Sequence, residues 1–463
     1  MKVTGLYVYP IKALRGIALP AAELGPQGVR YDRRFMLMTK KRSKTQTLTK
    51  MQLSDFPECA LFSQEIVSAK EGEFQTNSDD GGNNKVVVVH YHPPARDQDG
   101  SVDSTAKSKA ANNSKRTVMS PVQHPPLRIP LEPSYASLQP LDINLHGSPT
   151  RGYRMGDPYD AWFSAVFGFD VVLVYIGDGQ RQVLGDSLKV GVPPPKKSAK
   201  RGAEASLSPS GGSILGLVLS YLVGAWLALL AALGLRAEEN DKPDEPWITF
   251  SDCAPLLITA ESSLRNVSSR MSEGVEVPMY KFRPNIVVDG EGEEEWAEDY
   301  WGELTVTPGA GLTLDESSAT STPSLSRSRS ASSLSSASSA AEKLDKASPT
   351  SPVRLLLTSN CGRCTSLNVD YATGAMATGE LGEVLKRMAK DRRVDPGSKY
   401  SPVFGRYAFL DRRSDENEKS RGGGIGRDGG DEDAEDIVHI AVGDEVTVTR
   451  RNTERTVWDW PGL

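Results

Sequence analysis

Apolar residues in this chain come mostly as short runs separated by Gly, Pro, Ser and charged clusters. The runs RRFMLMT, CALFSQEIV, KVVVVHYH, DVVLVYIG, PLLIT, NIVVDG, VRLLLTS, RYAFL and IVHIAVGDEVTVTR are rich in β-branched and aromatic residues and predict strands. The opening stretch, MKVTGLYVYPIKAL, alternates Val3, Gly5, Tyr7 and Tyr9 with Thr4, Leu6 and Val8, which predicts a strand buried on both faces. Helical spacing is rarer. In GDPYDAWFSAVFG, Asp157 is the expected N-cap, Pro158 the first helical residue, and Ala161, Trp162, Ala165 and Val166 a buried stripe. LGEVLKRMAK and the segment around SSLRNVSSRM predict two further helices. Many short strands with few helices indicate a mainly β fold with helices, of the α+β class, built from barrel-like sheets rather than βαβ units.

Three tracts carry no such period: the polar stretch from about Glu71 to Pro126, interrupted by KVVVVHYH, a Ser-rich tract at about 315–350, and a Gly- and charge-rich tract at about 412–436. Their composition predicts disordered loop insertions between strands. One run differs from all others. Ile214 to Leu235 holds 22 residues without a charge, enough to span about 33 Å as a helix. The expected organisation is a first domain at 1–180, a linker with the apolar helix at 181–248 and a second domain at 249–455.

The formal net charge of -6, with basic stretches confined to low-complexity tracts, argues against a nucleic-acid partner. Four cysteines in 463 residues, with one close pair, do not make a secreted disulfide framework and predict a reducing, intracellular setting. No N-terminal targeting signal is evident, since the sequence opens on a strand.

The close pair is Cys361-Gly362-Arg363-Cys364. A zinc site needs four ligands, and His90, His92, His124, His146 and His439 lack the paired spacing to complete one. A redox dithiol wants its first cysteine at a helix N-terminus, whereas VRLLLTSN and TSLNVD both read as extended. Two inert cysteines remain an open alternative. Arg363, lodged between them, favours a thiolate at Cys364 and an anion nearby.

NCGRCTSLNVDYATG resembles the cysteine motif of MOSC-domain proteins, and the resemblance extends along the ordered chain. YPIKALRG and GVRYDRRFMLM resemble the first strands of the MOSC N-terminal β-barrel domain, and MGDPYDAWFSAVFG its closing helix. SDCAPLLITAESSL, FRPNIVV, SPVFGRYAFL and VGDEV resemble segments of the MOSC domain that follows. The chain is similar in particular to the mitochondrial amidoxime reducing component (mARC) proteins. Fold expectations follow: a MOSC N-terminal β-barrel-like domain, then a MOSC β-barrel domain.

The resemblance implies a molybdenum cofactor, with Cys364 as the protein's sulfur ligand to the metal and the catalytic residue. Lys12, Arg34, Arg283, Asn285 and Arg363 would hold the pterin and its phosphate, with Tyr407 beside the cofactor. Some positions depart from the family: Ala13 for a serine, Cys253-Ala254 for Thr-Ser, a polar Thr365-Ser366-Leu367-Asn368, and Tyr371-Ala372 for a Pro-Asp turn. Cys361 has no assigned role. The implied activity is reduction of small N-hydroxylated or N-oxide compounds of the amidoxime type. No cysteine follows Cys364 to build an iron–sulfur domain, and RGGGIGRDGG is a weak match to a nucleotide fingerprint. Electrons are therefore expected from a separate b-type cytochrome and its NADH-dependent reductase. The alternative is a non-catalytic cofactor-binding or sulfur-carrying MOSC protein. No aminotransferase-like sulfurase domain is visible, so pyridoxal phosphate is not expected. The run Ile214–Leu235 predicts attachment to the cytosolic face of an intracellular membrane, the mitochondrial outer membrane being one candidate, by a helix that dips into rather than crosses the bilayer.

Overall fold

The computed structural model describes residues 1–40, 48–69, 85–94, 122–192, 245–309, 352–411 and 437–462. The three tracts expected to be disordered lie outside these residues, apart from the strand at Lys85–Tyr91 and residues 92–94 and 122–126, and so does the apolar run Ile214–Leu235. Among the described residues no helix is long and apolar enough to cross a membrane.

Seven strands close on themselves in the order Ile286–Asp289, Leu256–Ala260, Val403–Leu410, Val353–Gly362, Trp301–Thr307, Glu445–Arg451 and Lys2–Val8, which returns to Ile286–Asp289. Closure removes the exposed edges of an open sheet. Every neighbouring pair is antiparallel except Leu256–Ala260 with Ile286–Asp289, which are parallel and joined through the helix Glu261–Ser268. The interior takes every second residue, as the pleat requires: Leu256, Ile258 and Ala260 on one strand, Val353, Leu355 and Leu357 on another.

The strand that completes the barrel is the first of the chain. The described structure thus threads residues 2–8 into a barrel otherwise made of residues 256–451. Simple alternation puts Val3 and Leu6 on opposite faces and predicts burial of both. Instead a β-bulge between Val3 and Gly5 shifts the phase, so that Val3, Leu6 and Val8 all enter the barrel core while Thr4 is exposed. Three aliphatic side chains at roughly 1.5–3 kcal/mol each make this strand a major part of the barrel's stability. Strand Ala21–Gly25 pairs with Val438–Ala441, a second stitch between the two ends of the chain.

Between these stitches the chain builds the other domain. One sheet has the order Gln139–Leu145, Ser148–Arg154, Val171–Tyr175, Phe35–Lys40, Leu48–Lys50; another has Phe62–Ser68, Lys85–Tyr91, Leu127–Pro130. They share a core that includes Phe35, Leu37, Phe62, Val87, Val89 and Leu173. The helix Tyr159–Phe167 packs on it with a phase different from the expected stripe. Phe163, Val166 and Phe167 are buried while Ala161 and Ala165 are exposed. The cause is Asp160, a buried first-turn acid whose carboxylate accepts the backbone N–H of Leu173 at 2.7 Å and Nε of Arg154 at 2.6 Å, fixing the rotation of the helix. Pro158, after a cis peptide bond, is the cap in place of Asp157.

One end of the barrel interior is polar. Arg406, fully buried, donates to Asn360 Oδ1 at 2.5 Å, to Thr456 Oγ1 at 3.0 Å and to the Asp299 carbonyl at 3.1 Å. The buried Asp299 carboxylate is gripped by Arg392 at 2.8 and 2.9 Å and by Arg455 Nε at 2.8 Å. Next to it Glu298 is also fully buried, with Oε2 accepting from Ser263 Oγ at 2.7 Å and Oε1 without a partner among the described residues. Burial, opposed by that hydrogen bond and reinforced by Asp299, pushes the Glu298 pKa up to about 7. The folded state therefore binds this proton more tightly than the unfolded chain does. Its contribution to stability is complete below the ordinary value of 4.5 and is lost as pH rises through about 7. Glu298→Gln should abolish a fall in unfolding free energy of up to about 3 kcal/mol over this range, read from urea titrations at several pH values. An identical pH slope in the variant would contradict the assignment.

Candidate functional site

Leaving the barrel at Val8, the chain runs directly into Tyr9, Pro10, Ile11 and Lys12, and there meets the other domain. Ile11 forms a bridge with Phe35, and the Lys12 N–H donates to the Phe35 carbonyl at 2.8 Å. The strand that pairs with the first one, Ile286–Asp289, is itself preceded by Arg283, Pro284 and Asn285. Two segments distant in sequence are thus brought side by side at the domain junction. Asn285, buried, is the stitch: its Oδ1 accepts from the Leu257 N–H at 3.1 Å and its Nδ2 donates to the Tyr7 carbonyl at 3.3 Å.

Tyr9 fills the space between the segments. Its hydroxyl donates to the Pro284 carbonyl at 3.0 Å, and its ring lies between the guanidinium groups of Arg33 at 4.2 Å and Arg283 at 4.5 Å. Burial raises the Tyr9 pKa against the pull of both arginines, so the hydroxyl keeps its proton. Arg33 is paired with buried Asp32, which also accepts the Tyr9 N–H at 2.8 Å. Arg283 adopts left-handed backbone geometry at φ 54, and its Nη1 is buried without a partner among the described residues.

A second cluster surrounds Asp252, on the segment leading into Leu256–Ala260. Lys12 Nζ pairs with its carboxylate and donates to the Phe250 carbonyl at 2.9 Å, and His146 Nε2 lies 3.2 Å from the same carboxylate. Arg181, fully buried, donates to the carbonyls of Thr249 and Leu145, both at 2.9 Å. The Asp252 side chain is 56% exposed although these groups crowd it, as for a residue on the wall of an open recess. Burial works to raise its pKa, but Lys12 and His146 overcome this and hold it well below the ordinary carboxylate value. Burial depresses Lys12, with Asp252 opposing, and brings Arg181 down to about 10.

The cysteine pair lies on the return path. Strand Val353–Gly362 carries Cys361 inward, and Cys364 caps a 3₁₀ turn at Thr365–Asn368, where TSLN reads from sequence as extended. The turn forms because Leu367 is buried and its N–H reaches the Cys364 carbonyl at 3.3 Å. Cys364 is the one exposed cysteine of the four, with Sγ 3.1 Å from Ser366 Oγ. Arg363 points inward: Nη1 donates to Cys361 Sγ at 3.0 Å, Nη2 to the Phe282 carbonyl at 2.7 Å, and Nε is buried without a partner among the described residues. Burial opposes its charge, but Cys361, Cys364 and Tyr407 raise its pKa. Burial, with Cys361, Cys253 and Asp252 adding, pushes the Tyr407 hydroxyl far up, and it stays protonated.

The junction thus gathers Lys12, Arg283, Asn285, Arg363, Cys364 and Tyr407. Arg34 is held elsewhere, with Nη2 donating to Tyr175 Oη at 3.0 Å and to the Gly177 carbonyl at 3.3 Å on the N-terminal sheet. Sequence reasoning missed Tyr9, Asp252, Arg181 and His146. Asp252 stands inside SDCAPLLI and could have been found there; Arg181, on the two-residue strand Arg181–Gln182, and His146, in a turn, lie in polar sequence that carries no signal. Iodoacetamide added to the folded, cofactor-free protein should modify Cys364 and spare Cys59, Cys253 and Cys361, which are buried. Peptide mass spectrometry checks this, and equal labelling of Cys361 would contradict the geometry.

Residues 1–114 match the model of the MOSC N-terminal beta barrel domain, and residues 245–320 match that of the MOSC domain, ending before Cys364. The chain is 29% identical over 168 residues to mitochondrial amidoxime-reducing component 1 of Homo sapiens, covering 35% of each protein. It is 25% identical over 165 residues to the Danio rerio protein of the same name, covering 36% of this chain and 35% of that one, and 26% identical over 169 residues to mitochondrial amidoxime reducing component 2 of Rattus norvegicus, covering 36% and 35%. The matched stretch spans about a third of the length of these curated relatives. With its closed seven-stranded barrel and the second β domain inserted after the first strand, the chain is a MOSC-domain protein with a MOSC N-terminal beta barrel domain, similar to the mitochondrial amidoxime-reducing components.

Proposed function

We propose that this protein is a molybdenum-cofactor oxidoreductase that reduces N-hydroxylated or N-oxide nitrogen of the amidoxime type, using electrons from a separate b-type cytochrome and its NADH-dependent reductase. The observation that carries the reading is an exposed cysteine, Cys364, next to buried cationic donors that have no hydrogen-bond partner among the described residues. A thiolate is the ligand type molybdenum favours, and a phosphate-bearing pterin supplies the acceptors that Arg283 Nη1 and Arg363 Nε lack. The donor set therefore fits the cofactor. When bound, the cofactor supplies a two-electron metal centre for oxygen-atom removal.

The chain's own residues do the rest. Cys364 would anchor the group, and Arg363, fixed by Cys361 and the Phe282 carbonyl, would supply positive charge next to it. Asp252, held ionised, fixes Lys12 and His146. Cleavage of an N–O bond to release water consumes two electrons and two protons, and the Tyr407 hydroxyl is a proton-bearing group at this site. Purified protein should contain about one molybdenum per chain. Cys364→Ser should abolish reduction of benzamidoxime in a cytochrome-coupled assay. Retained turnover in that variant would refute the reading.

Membrane attachment through Ile214–Leu235 is part of the same proposal. Lys12 and Arg181, before the run, touch Phe250, Asp252 and Thr249, after it. These contacts support both flanks lying on one side of a membrane, with a run that dips into one leaflet. Deleting residues 211–235 should release the protein from membranes with its molybdenum retained. Protease protection of only one flank would overturn this topology.

A further inference from the structure

The hairpin after Cys364 carries Tyr371, where the resemblance leads one to expect proline. Tyr371 is 8% exposed, and its ring packs on Tyr280 with 4.7 Å between centroids. The Arg15 guanidinium lies 5.8 Å from the ring centroid and also donates to the Tyr371 carbonyl. Yet its hydroxyl is buried and has no hydrogen-bond partner among the described residues. Leaving such a group unpaired is costly, and phenylalanine would avoid the cost. A tyrosine here points to an absent acceptor.

A second unpartnered donor stands next to it. Arg283 lies against Tyr371, which, against the effect of burial, raises the pKa of its guanidinium, and presents Nη1, buried and without a hydrogen bond among the described residues, from a guanidinium stacked on Tyr9. Its backbone is left-handed, a conformation strained for a non-glycine residue. The neighbouring cations are engaged by the protein itself: Arg33 by Asp32, Arg15 by the carbonyls of Ala60 and Tyr371, Lys12 by Asp252 and Phe250. Besides Arg363 Nε, the donors left here without a partner among the described residues are one guanidinium N–H end of Arg283 and the phenol O–H of Tyr371. Two converging donors, one of them charged, match an oxyanion.

We propose that Arg283 Nη1 and the Tyr371 hydroxyl form a two-donor oxyanion subsite of the phosphate class in the junction between the domains. On the functional reading above, on which this identification rests, the oxyanion is the cofactor's phosphate, and Tyr371 is a binding residue peculiar to this chain. The subsite itself is a property of the cofactor-free protein and is tested there. Isothermal titration of cofactor-free protein with inorganic phosphate should show binding, weakened about tenfold by Tyr371→Phe, as for loss of one hydrogen bond to a charged group. Arg283→Lys should weaken it further, and Tyr280→Phe, removing an exposed neighbouring hydroxyl, should leave it unchanged. Because Tyr371→Phe removes an unsatisfied group, its thermal midpoint should equal or exceed that of the wild type. Absence of phosphate binding by the wild type, equal affinity in Tyr371→Phe, or a lowered midpoint accompanying the loss would overturn the proposal. Phosphate binding that depends on Tyr371, in a protein that never acquires molybdenum, would refute the enzyme reading and leave the subsite standing.

Discussion

The pairing of Lys2–Val8 with Ile286–Asp289 is the constraint on which the rest of the structure depends. Leu6 sits opposite Ile286 and Lys2 opposite Asp289, so the residues just beyond Val8 and those just before Ile286 emerge at the same end of the barrel. One of these extensions carries Tyr9 and Lys12, and the other carries Arg283 and Asn285. Their juxtaposition is a consequence of strand register, and register is enforced by burial of Val3, Leu6 and Val8 in the barrel core. A slip of one residue would turn these side chains out of the core and separate the two halves of the junction.

Around that pairing the structure handles an excess of positive charge at close quarters. Lys12, Arg33, Arg181, Arg283 and Arg363 all approach the domain junction, where burial alone would make each charge costly. Asp32 and Asp252 compensate two of them directly, backbone carbonyls accept from both Nη atoms of Arg181, and the Tyr9 ring lies between Arg33 and Arg283. The compensation is uneven. Lys12 and Arg33 are engaged by their acids, whereas Arg181, Arg283 and Arg363 each keep one buried N–H without a partner among the described residues. That asymmetry separates cations neutralised by acids from cations that keep donor capacity, and nothing in the composition alone distinguishes the two groups.

Much of the architecture was legible in the sequence because alternation and β-branched runs report burial directly. The strands at Lys85–Tyr91 and Val171–Tyr175 fall within predicted runs, and those at Phe35–Lys40 and Val353–Gly362 begin in predicted runs and extend past them by one and three residues. The misreadings have local causes. A bulge after Val3 breaks strict alternation, and a buried acid, Asp160, rotates the helix Tyr159–Phe167 away from its apparent stripe. At the site, the motif residues Cys364, Arg363, Lys12 and Arg283 were visible through their neighbours, but partner choice was not. That Lys12 would meet Asp252, or that Arg34 would turn to Tyr175, depends on contacts between segments more than a hundred residues apart. Arg181 is the clearest case: a single arginine on a two-residue strand in a polar stretch of sequence becomes a fully buried link between Leu145 and the segment 249–252.

The two cysteines of the close pair are separated by three positions and by opposite environments. Cys361 is buried and accepts a hydrogen bond from Arg363, while Cys364 is exposed at the cap of a turn. In this account the first fixes the arginine and the second holds the metal. Molybdenum K-edge X-ray absorption on the purified wild type, Cys361→Ser and Cys364→Ser proteins tests this division most directly. The account predicts that one sulfur is lost from the metal's coordination shell only in the Cys364→Ser protein. Loss of that sulfur in Cys361→Ser, or an unchanged shell in Cys364→Ser, would contradict it.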